Sequence, residues 1–210
     1  MKILAALVLA TVAGTASAAV YTMTFDTDAA GNAIAEGATL STQYAAWGVS
    51  VSNSGAPGFG APYYGWASDG LSSLQITATD IGGGVTAPIS GNLLHSFGGW
   101  LSEDGDPYIR MSFSTGIDSI AADFGGMSYP SSTGIYAYNG ATLVGQVNGT
   151  VTNTEHLSLS GVGTITSIVL VPGDFGDWVG IDNVAFNTVP TPGAAALLGL
   201  GGLIVGRRRR

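Results

Sequence analysis

The side chains with the most chemistry to offer are fourteen Asp and Glu in a chain of 210 residues. Glu103-Asp104-Gly105-Asp106-Pro107 has an EF-hand flavour, but it lacks the twelve-residue ligand spacing and the terminal Glu of such a loop. It reads as a solvated turn ahead of a strand. Asp174 and Asp177, in Gly173-Asp174-Phe175-Gly176-Asp177, form another acidic turn. Paired carboxylates could serve glycoside hydrolysis, which needs two acids at a defined separation in a cleft. With fourteen acids some pair is always on offer, so the count is no evidence. His95 and His156 are the only histidines. No Gly-x-Ser-x-Gly elbow, His-Glu-x-x-His helix or phosphate loop occurs. Cysteine is absent and the one lysine is Lys2, so the region beyond the N-terminus has no thiol or amine nucleophile. The expectation is a protein that is not an enzyme. Asn148-Gly149-Thr150 matches a glycosylation sequon, which a short pattern does by chance.

A second chemistry comes from aromatic rings. Ser54 to Trp66 carries Phe59, Tyr63, Tyr64 and Trp66 among glycines and prolines, and Trp100 follows two glycines. Flat rings stack on the apolar faces of sugars, and nearby Asp or Asn can accept from hydroxyls. Tyr63, Tyr64, Trp66 and Trp100 are therefore candidate glycan contacts. The same rings could instead pack under a long loop as a satellite core.

The two ends of the chain read as addresses. Lys2, an apolar run from Ile3 to Gly14 and the small-x-small triplet Ala16-Ser17-Ala18 have the layout of a secretory signal peptide over residues 1–18, cut after Ala18. At the other end, Pro190-Thr191-Pro192 breaks the chain, fourteen uncharged residues run from Gly193 to Gly206, and Arg207, Arg208, Arg209 and Arg210 close it. Arginines bordering an apolar segment stay cytoplasmic, so both ends give one topology, with the domain outside. Fourteen residues of helix cover only about 21 Å of a roughly 30 Å hydrocarbon core. This suits a short hydrophobic helix that inserts transiently.

Val189-Pro190-Thr191-Pro192-Gly193, the short apolar stretch and the terminal arginine cluster resemble the PEP-CTERM sorting signal. The usual motif is Val-Pro-Glu-Pro; Thr191 departs from it. The resemblance implies export, processing by an exosortase-type enzyme, and a bacterium that makes exopolysaccharide. Residues 189–210 would then be the sorting signal, and the product would stand at the cell surface, outer membrane or extracellular matrix.

Residues 19–188 are left as one domain, long enough to bury a core. Its only basic residue, Arg110, stands against all fourteen acids, a net charge of −13. Nucleic acid is excluded as a partner on electrostatics, and cations are favoured. Stability must come from packing or a metal, not disulfides.

The elements that must position these groups are strands. Short alternating runs start at Val20, Gly48, Leu74, Tyr108, Ile117, Gly134, Thr142, Thr164 and Val179, with turn residues every 8–12 positions. Asn139-Gly140 marks a hairpin, and one helical turn fits Ser41 to Ala46. The expected fold is all-β, an antiparallel β-sandwich. Phe25-Asp26, Gly37, Leu40, Tyr44, Trp47-Gly48-Val49 and the ending Ile181-Asp182-Asn183-Val184-Ala185-Phe186 resemble extracellular PEP-CTERM sandwich domains of jelly-roll, carbohydrate-binding-module-like type. That resemblance implies first and last strands side by side. It also implies a structural Ca²⁺ at their seam, for which Asp26, Asp28 and Asp182 are the candidates; otherwise these acids cap turns and loops.

The expectation for function is an exported, non-enzymatic surface or matrix protein associated with exopolysaccharide. The alternatives are a lectin-like module with a defined glycan and a secreted glycoside hydrolase.

Overall fold

The computed structural model describes residues 18–52, 73–77, 89–97, 109–172 and 179–189. The chain divides into two compact units, one of Met1–Ala19 with Pro190–Arg210, the other of Val20–Val189. The second unit holds the nine strands of the described residues: β1 (Val20–Met23), β2 (Val49–Ser52), β3 (Ser73–Thr77), β4 (Leu93–Phe97), β5 (Ile109–Met127), β6 (Thr133–Asn139), β7 (Thr142–Asn148), β8 (Asn153–Pro172) and β9 (Gly180–Thr188). All pair antiparallel, in the order β3-β4-β9-β5-β8-β6-β7, with β1 added to β9 and β2 to β5. Among the described residues no helix is long and apolar enough to cross a membrane.

Two long strands make one sheet into two layers. β5 and β8 run 19 and 20 residues. Ile117 pairs with Ile165 and Ser119 with Ser160, so Gly161 to Thr164 of β8 bulge out opposite the single Asp118. Gly161 and Gly163 take positive φ there (71° and 88°), a conformation glycine adopts without steric cost. A bulge bends its strand and lets it pass from one layer to the other. The front layer is β2, the start of β5, the end of β8, β6 and β7. The back layer is the rest of β5, the start of β8, β9, β1 and β4, with β3 beyond. The expected antiparallel β-sandwich is what the chain forms.

The core lies between the layers. Alternate residues point inward, as the two-residue period of a strand requires: Ile109, Met111 and Phe113, then Ile120, Ala122 and Phe124 on β5; Ile135 and Ala137 on β6; Ile168 and Leu170 on β8; Ile181, Val184 and Phe186 on β9. Phe113 of the front layer meets Phe186 of the back at 5.1 Å between ring centroids. Tyr21 of β1 stacks on Trp47 at 5.0 Å. Each Ile, Leu, Val, Met or Phe among these, taken fully out of water, contributes about 1.5–3 kcal/mol.

The strand pattern departs from the sequence reading in three places. The runs from Tyr108 and Ile117, expected to be separated by a short turn, join in the one strand Ile109–Met127, where the Gly116 carbonyl accepts from the Val189 N–H. β4 and the first half of β8 were not anticipated: Leu93 and Leu94 are adjacent and both buried, which hides alternation, and Asn153 to Ser160 is polar along its outer face. The turn at Ser41 to Ala46 is a 3-10 turn at Ala45–Trp47. The Asn139-Gly140 hairpin is present, joining β6 to β7.

Candidate functional site

β1 and β9 lie side by side, from Val20 opposite Asn187 to Met23 opposite Val184. Just past Met23 the chain leaves the sheet through Phe25, whose φ of +60° is unusual for a bulky residue. Two bonds hold it: its N–H donates to the Tyr44 hydroxyl (3.1 Å), and that hydroxyl donates to the Thr27 carbonyl (2.7 Å). The strained residue aims Asp26 at the loop before β4. There the Asn92 N–H donates to Asp26 Oδ1 (2.9 Å), while Asn92 Nδ2 donates to the carbonyls of Phe25 (3.2 Å) and Ile34 (2.9 Å).

Glycine is required beside this carboxylate. Gly91 has φ +73°, and a Cβ there would sit 2.4 Å from Asp26 Oδ1. The same loop reaches the last strand, where the Ser90 N–H donates to Asp182 Oδ2 (3.4 Å). Asp182 is 2% exposed. Its Oδ1 accepts from the Asn183 N–H (2.7 Å). Asn183 sits at φ +49°, a region asparagine tolerates better than most residues. That twist lets its Nδ2 donate both to Asp182 Oδ2 (3.3 Å) and to Asp123 Oδ2 (2.8 Å).

Asp123 extends the row. It lies opposite Asp182 on β9 and His156 on β8. It is buried, and its Oδ1 lies 2.6 Å from His156 Nδ1. The His156 side chain is 59% exposed. The back layer thus carries, on the face away from the core, a line of His156, Asp123 and Asp182, continued through the Ser90–Asn92 loop to Asp26.

The line holds more negative charge than it neutralises. Burial pushes the Asp182 carboxyl up to about 6, with the charges of Asp26 and Asp123 adding to that, against the hydrogen bonds from Asn183 and Ser90. Burial likewise pushes the Tyr44 hydroxyl up to about 12, with nearby Asp26, Asp28 and Asp182 contributing. Chemically the line can store a proton or attract a cation.

Of the three residues the sequence offered for a metal, Asp26 and Asp182 converge on one loop and Asp28 does not join them. Asp28 Oδ1 accepts from the N–H groups of Ala30 (2.8 Å) and Asn32 (2.9 Å), and Oδ2 accepts from Asn32 Nδ2 (2.9 Å). Those hydrogen bonds hold its carboxyl below the usual range. Asp28 caps its own turn. Among the described residues no three His, Asp or Glu side chains group closely enough to hold a metal ion.

The glycan candidates Tyr63, Tyr64, Trp66 and Trp100, the cleavage-site Ala16 and the sorting residues Pro190 to Arg210 lie outside the described residues. Ala18 and Val189 are described, and the Val189 N–H donates to the Gly116 carbonyl (2.8 Å). Sequence reading did not single out Asp123 or Asn92, and it named His156 and Asn183 without joining them to this site. A carboxylate at an alternate position of an apolar strand marked Asp123, and an Asp-Asn pair inside a β-run marked the Asn183 twist. His156 stood out only as one of two histidines, and nothing placed it beside Asp123, because its strand was not anticipated. The sequon asparagine is structural: Asn148 Nδ2 donates to the Tyr136 hydroxyl (3.0 Å) and to the carbonyls of Thr133 and Ser131 (both 3.3 Å).

No protein-family model matches the chain, and no curated protein matches it. Solved structures similar to it include the K2 cleaved adhesin domain of Lys-gingipain, at 14% identity and TM-score 0.40, over 80% of this chain and 99% of that one. The K3 cleaved adhesin domain of Lys-gingipain from Porphyromonas gingivalis w83 follows at 13% identity and TM-score 0.39, over 82% and 100%. A carbohydrate-binding module, CBM36, solved with calcium and xylotriose, is similar at 21% identity and TM-score 0.30, over 56% of this chain and 96% of that one.

Proposed function

We propose that this chain is an exported, non-enzymatic protein of the cell surface or extracellular matrix, processed through its C-terminal signal and associated with exopolysaccharide. The observation that carries this reading is the pairing of β1 with β9. It closes the domain between the expected cut after Ala18 and the sorting motif that starts at Val189. Among the described residues, the buried core runs from Met23 to Phe186. A described core that lies inside the expected cut and the motif suits cargo that loses both signals. Expression in a bacterium with an exosortase-type enzyme tests it. Mass spectrometry should find a chain lacking residues 1–18 and most of 193–210, in the polysaccharide-rich matrix fraction. Recovery of the unprocessed chain from the cytoplasm would sink the reading.

Ca²⁺ belongs to this reading through Asp26 and Asp182. Hard carboxylate oxygens suit it, and these two carboxylates meet at the Ser90–Asn92 loop with excess negative charge around them. When bound, the ion would neutralise that charge and tie the first strand to the last. Asp28, committed to its own turn, takes no part.

A further inference from the structure

The bulges that carry the long strands from one layer to the other also leave a groove. Opposite β9, Ile117 pairs with Thr188 and Ser119 with Asn187, so Asp118 is an extra residue on β5. Opposite β8, the same step spans Gly161 to Thr164. Bulges interrupt a ladder and re-aim side chains. Beside them, Ser119 lies opposite Ser160 on one side and Asn187 on the other. The neighbouring residues Ile120, Leu159 and Phe186 pack in or against the core, so this polar row faces outward.

The groove holds about 570 Å³, within the roughly 300–1,000 Å³ of small-molecule sites. Ser119, Ser160 and Asn187 line it, with Asp118 and Thr164 from the bulges. Gly161 and Gly163 line it too, and a Cβ on either would meet nothing within 4 Å, so the space beside that stretch of backbone is open. Asp118, Ser160 and Thr164 are exposed, and Ser119 and Asn187 are half-buried. Among the described residues that line it, none is basic or aromatic. Its one charge is the Asp118 carboxylate, in a domain with one basic residue, Arg110, against fourteen acids. An anionic ligand would meet that carboxylate with no cation to offset it, while the summed field of the domain draws cations in.

We propose that this groove binds an amino sugar, a hexosamine unit of an extracellular polysaccharide whose amine is free and protonated. The inference rests on the polysaccharide association proposed above. The ammonium donates to the Asp118 carboxylate, a charge-assisted hydrogen bond of the stronger kind. Ring hydroxyls both donate and accept, and so do the Ser119, Ser160 and Thr164 hydroxyls and the Asn187 amide. The row from Ser160 to Asn187 spans two strand spacings, about 10 Å, enough for one pyranose ring. Val189, which also lines the groove, gives the ring's C–H side an apolar contact. An N-acetylated unit has the hydroxyls without the charge, and a lysine side chain has the charge without the ring. The groove matches a ligand with both.

Calorimetric titration of the full chain with oligomers of glucosamine and of galactosamine, at mildly acidic pH, tests this. The N-acetylated oligomers of the same length and tetralysine serve as controls. The expected result is binding of at least one amine form, and at least about tenfold weaker binding of its acetylated form. Asp118→Asn should cost at least about tenfold, and Thr164→Arg, which fills the groove with a repelling cation, at least as much. Glu36→Gln, at an exposed acid outside the groove, should change little. All three substitutions shift the net charge by the same single unit, so only position separates them. Should one groove variant fail to fold, the other and the amine-against-acetyl comparison on the unaltered chain carry the test. No binding of either amine oligomer, equal binding of amine and acetylated forms, or an equal loss at Glu36→Gln overturns the proposal. So does tetralysine binding that matches the sugar and falls equally on Asp118→Asn, because charge alone would then be what the groove reads. Its failure is separate from that of the broader reading, which rests on processing and matrix recovery.

Discussion

Asp26 and Asp182 are held by one tight loop: the Asn92 N–H donates to the first at 2.9 Å and the Ser90 N–H to the second at 3.4 Å. The first and last strands are thereby joined beyond the end of their own ladder, through two carboxylates and a glycine.

The pH dependence of stability should carry the mark of Asp182. Its carboxyl is raised in the fold, from 3.8 to about 6. A raised acid binds its proton more tightly when folded, so its contribution is largest below 3.8 and is lost as pH rises through 6. Between pH 7 and pH 4 the native state should gain on the order of 1–2 kcal/mol from this group, after discounting for solvent screening. Urea unfolding of the unaltered chain and Asp182→Asn across that range gives the difference. Parallel profiles would show that Asp182 is not the group responsible.

Gly91→Ala should be among the costliest glycine substitutions. Its Cβ would lie 2.4 Å from Asp26 Oδ1, and φ there is +73°. Gly31, at φ +84°, has nothing within 4 Å of the same atom. Gly31→Ala should cost about 1–2 kcal/mol from backbone alone, and Gly91→Ala at least about 1 kcal/mol more. Equal shifts in urea midpoint would mean that the Asp26 contact yields freely.

Tyr44→Phe removes the hydroxyl that holds Phe25 at positive φ. One N–H and one carbonyl lose a partner, at about 1–3 kcal/mol. The pH behaviour gives a second readout. The hydroxyl rises from 10.0 to about 12, so its contribution is complete below pH 10 and lost as pH climbs through 12. A Tyr44→Phe chain should lack that part of the alkaline loss; thermal melts at pH 8 and 11 decide.

Calcium should raise the melting temperature by several degrees over an EDTA control, and Asp26→Asn with Asp182→Asn should abolish the gain. The single change Asp28→Asn should leave the gain intact, since that carboxylate serves its own turn. A melting temperature indifferent to calcium removes the metal from the account.

Most of the sandwich was legible because its inward positions alternate: Ile109, Met111 and Phe113, or Ile181 with Val184 and Phe186 around a twist, declare a buried face. Leu93-Leu94 did not, since both are covered, and a strand buried on both sides has no two-residue signature. The site was legible in part. Asp26 and Asp182 could be found because the ends of such a domain are expected to meet. Asp123 and His156 could not be joined from sequence, because their meeting depends on the four-residue bulge at Gly161 to Thr164. That bulge sets which β8 residue falls opposite Asp123, and loop chemistry of this kind has no periodicity to read.

β9 is clamped along both edges, by β1 on one side and β5 on the other. The chain continues past the end of this strand at Val189. Tension applied there runs along β9, across hydrogen bonds that lie perpendicular to the strand. The two ladders are then loaded together in shear, not opened one rung at a time. A pull along this strand must break both ladders together.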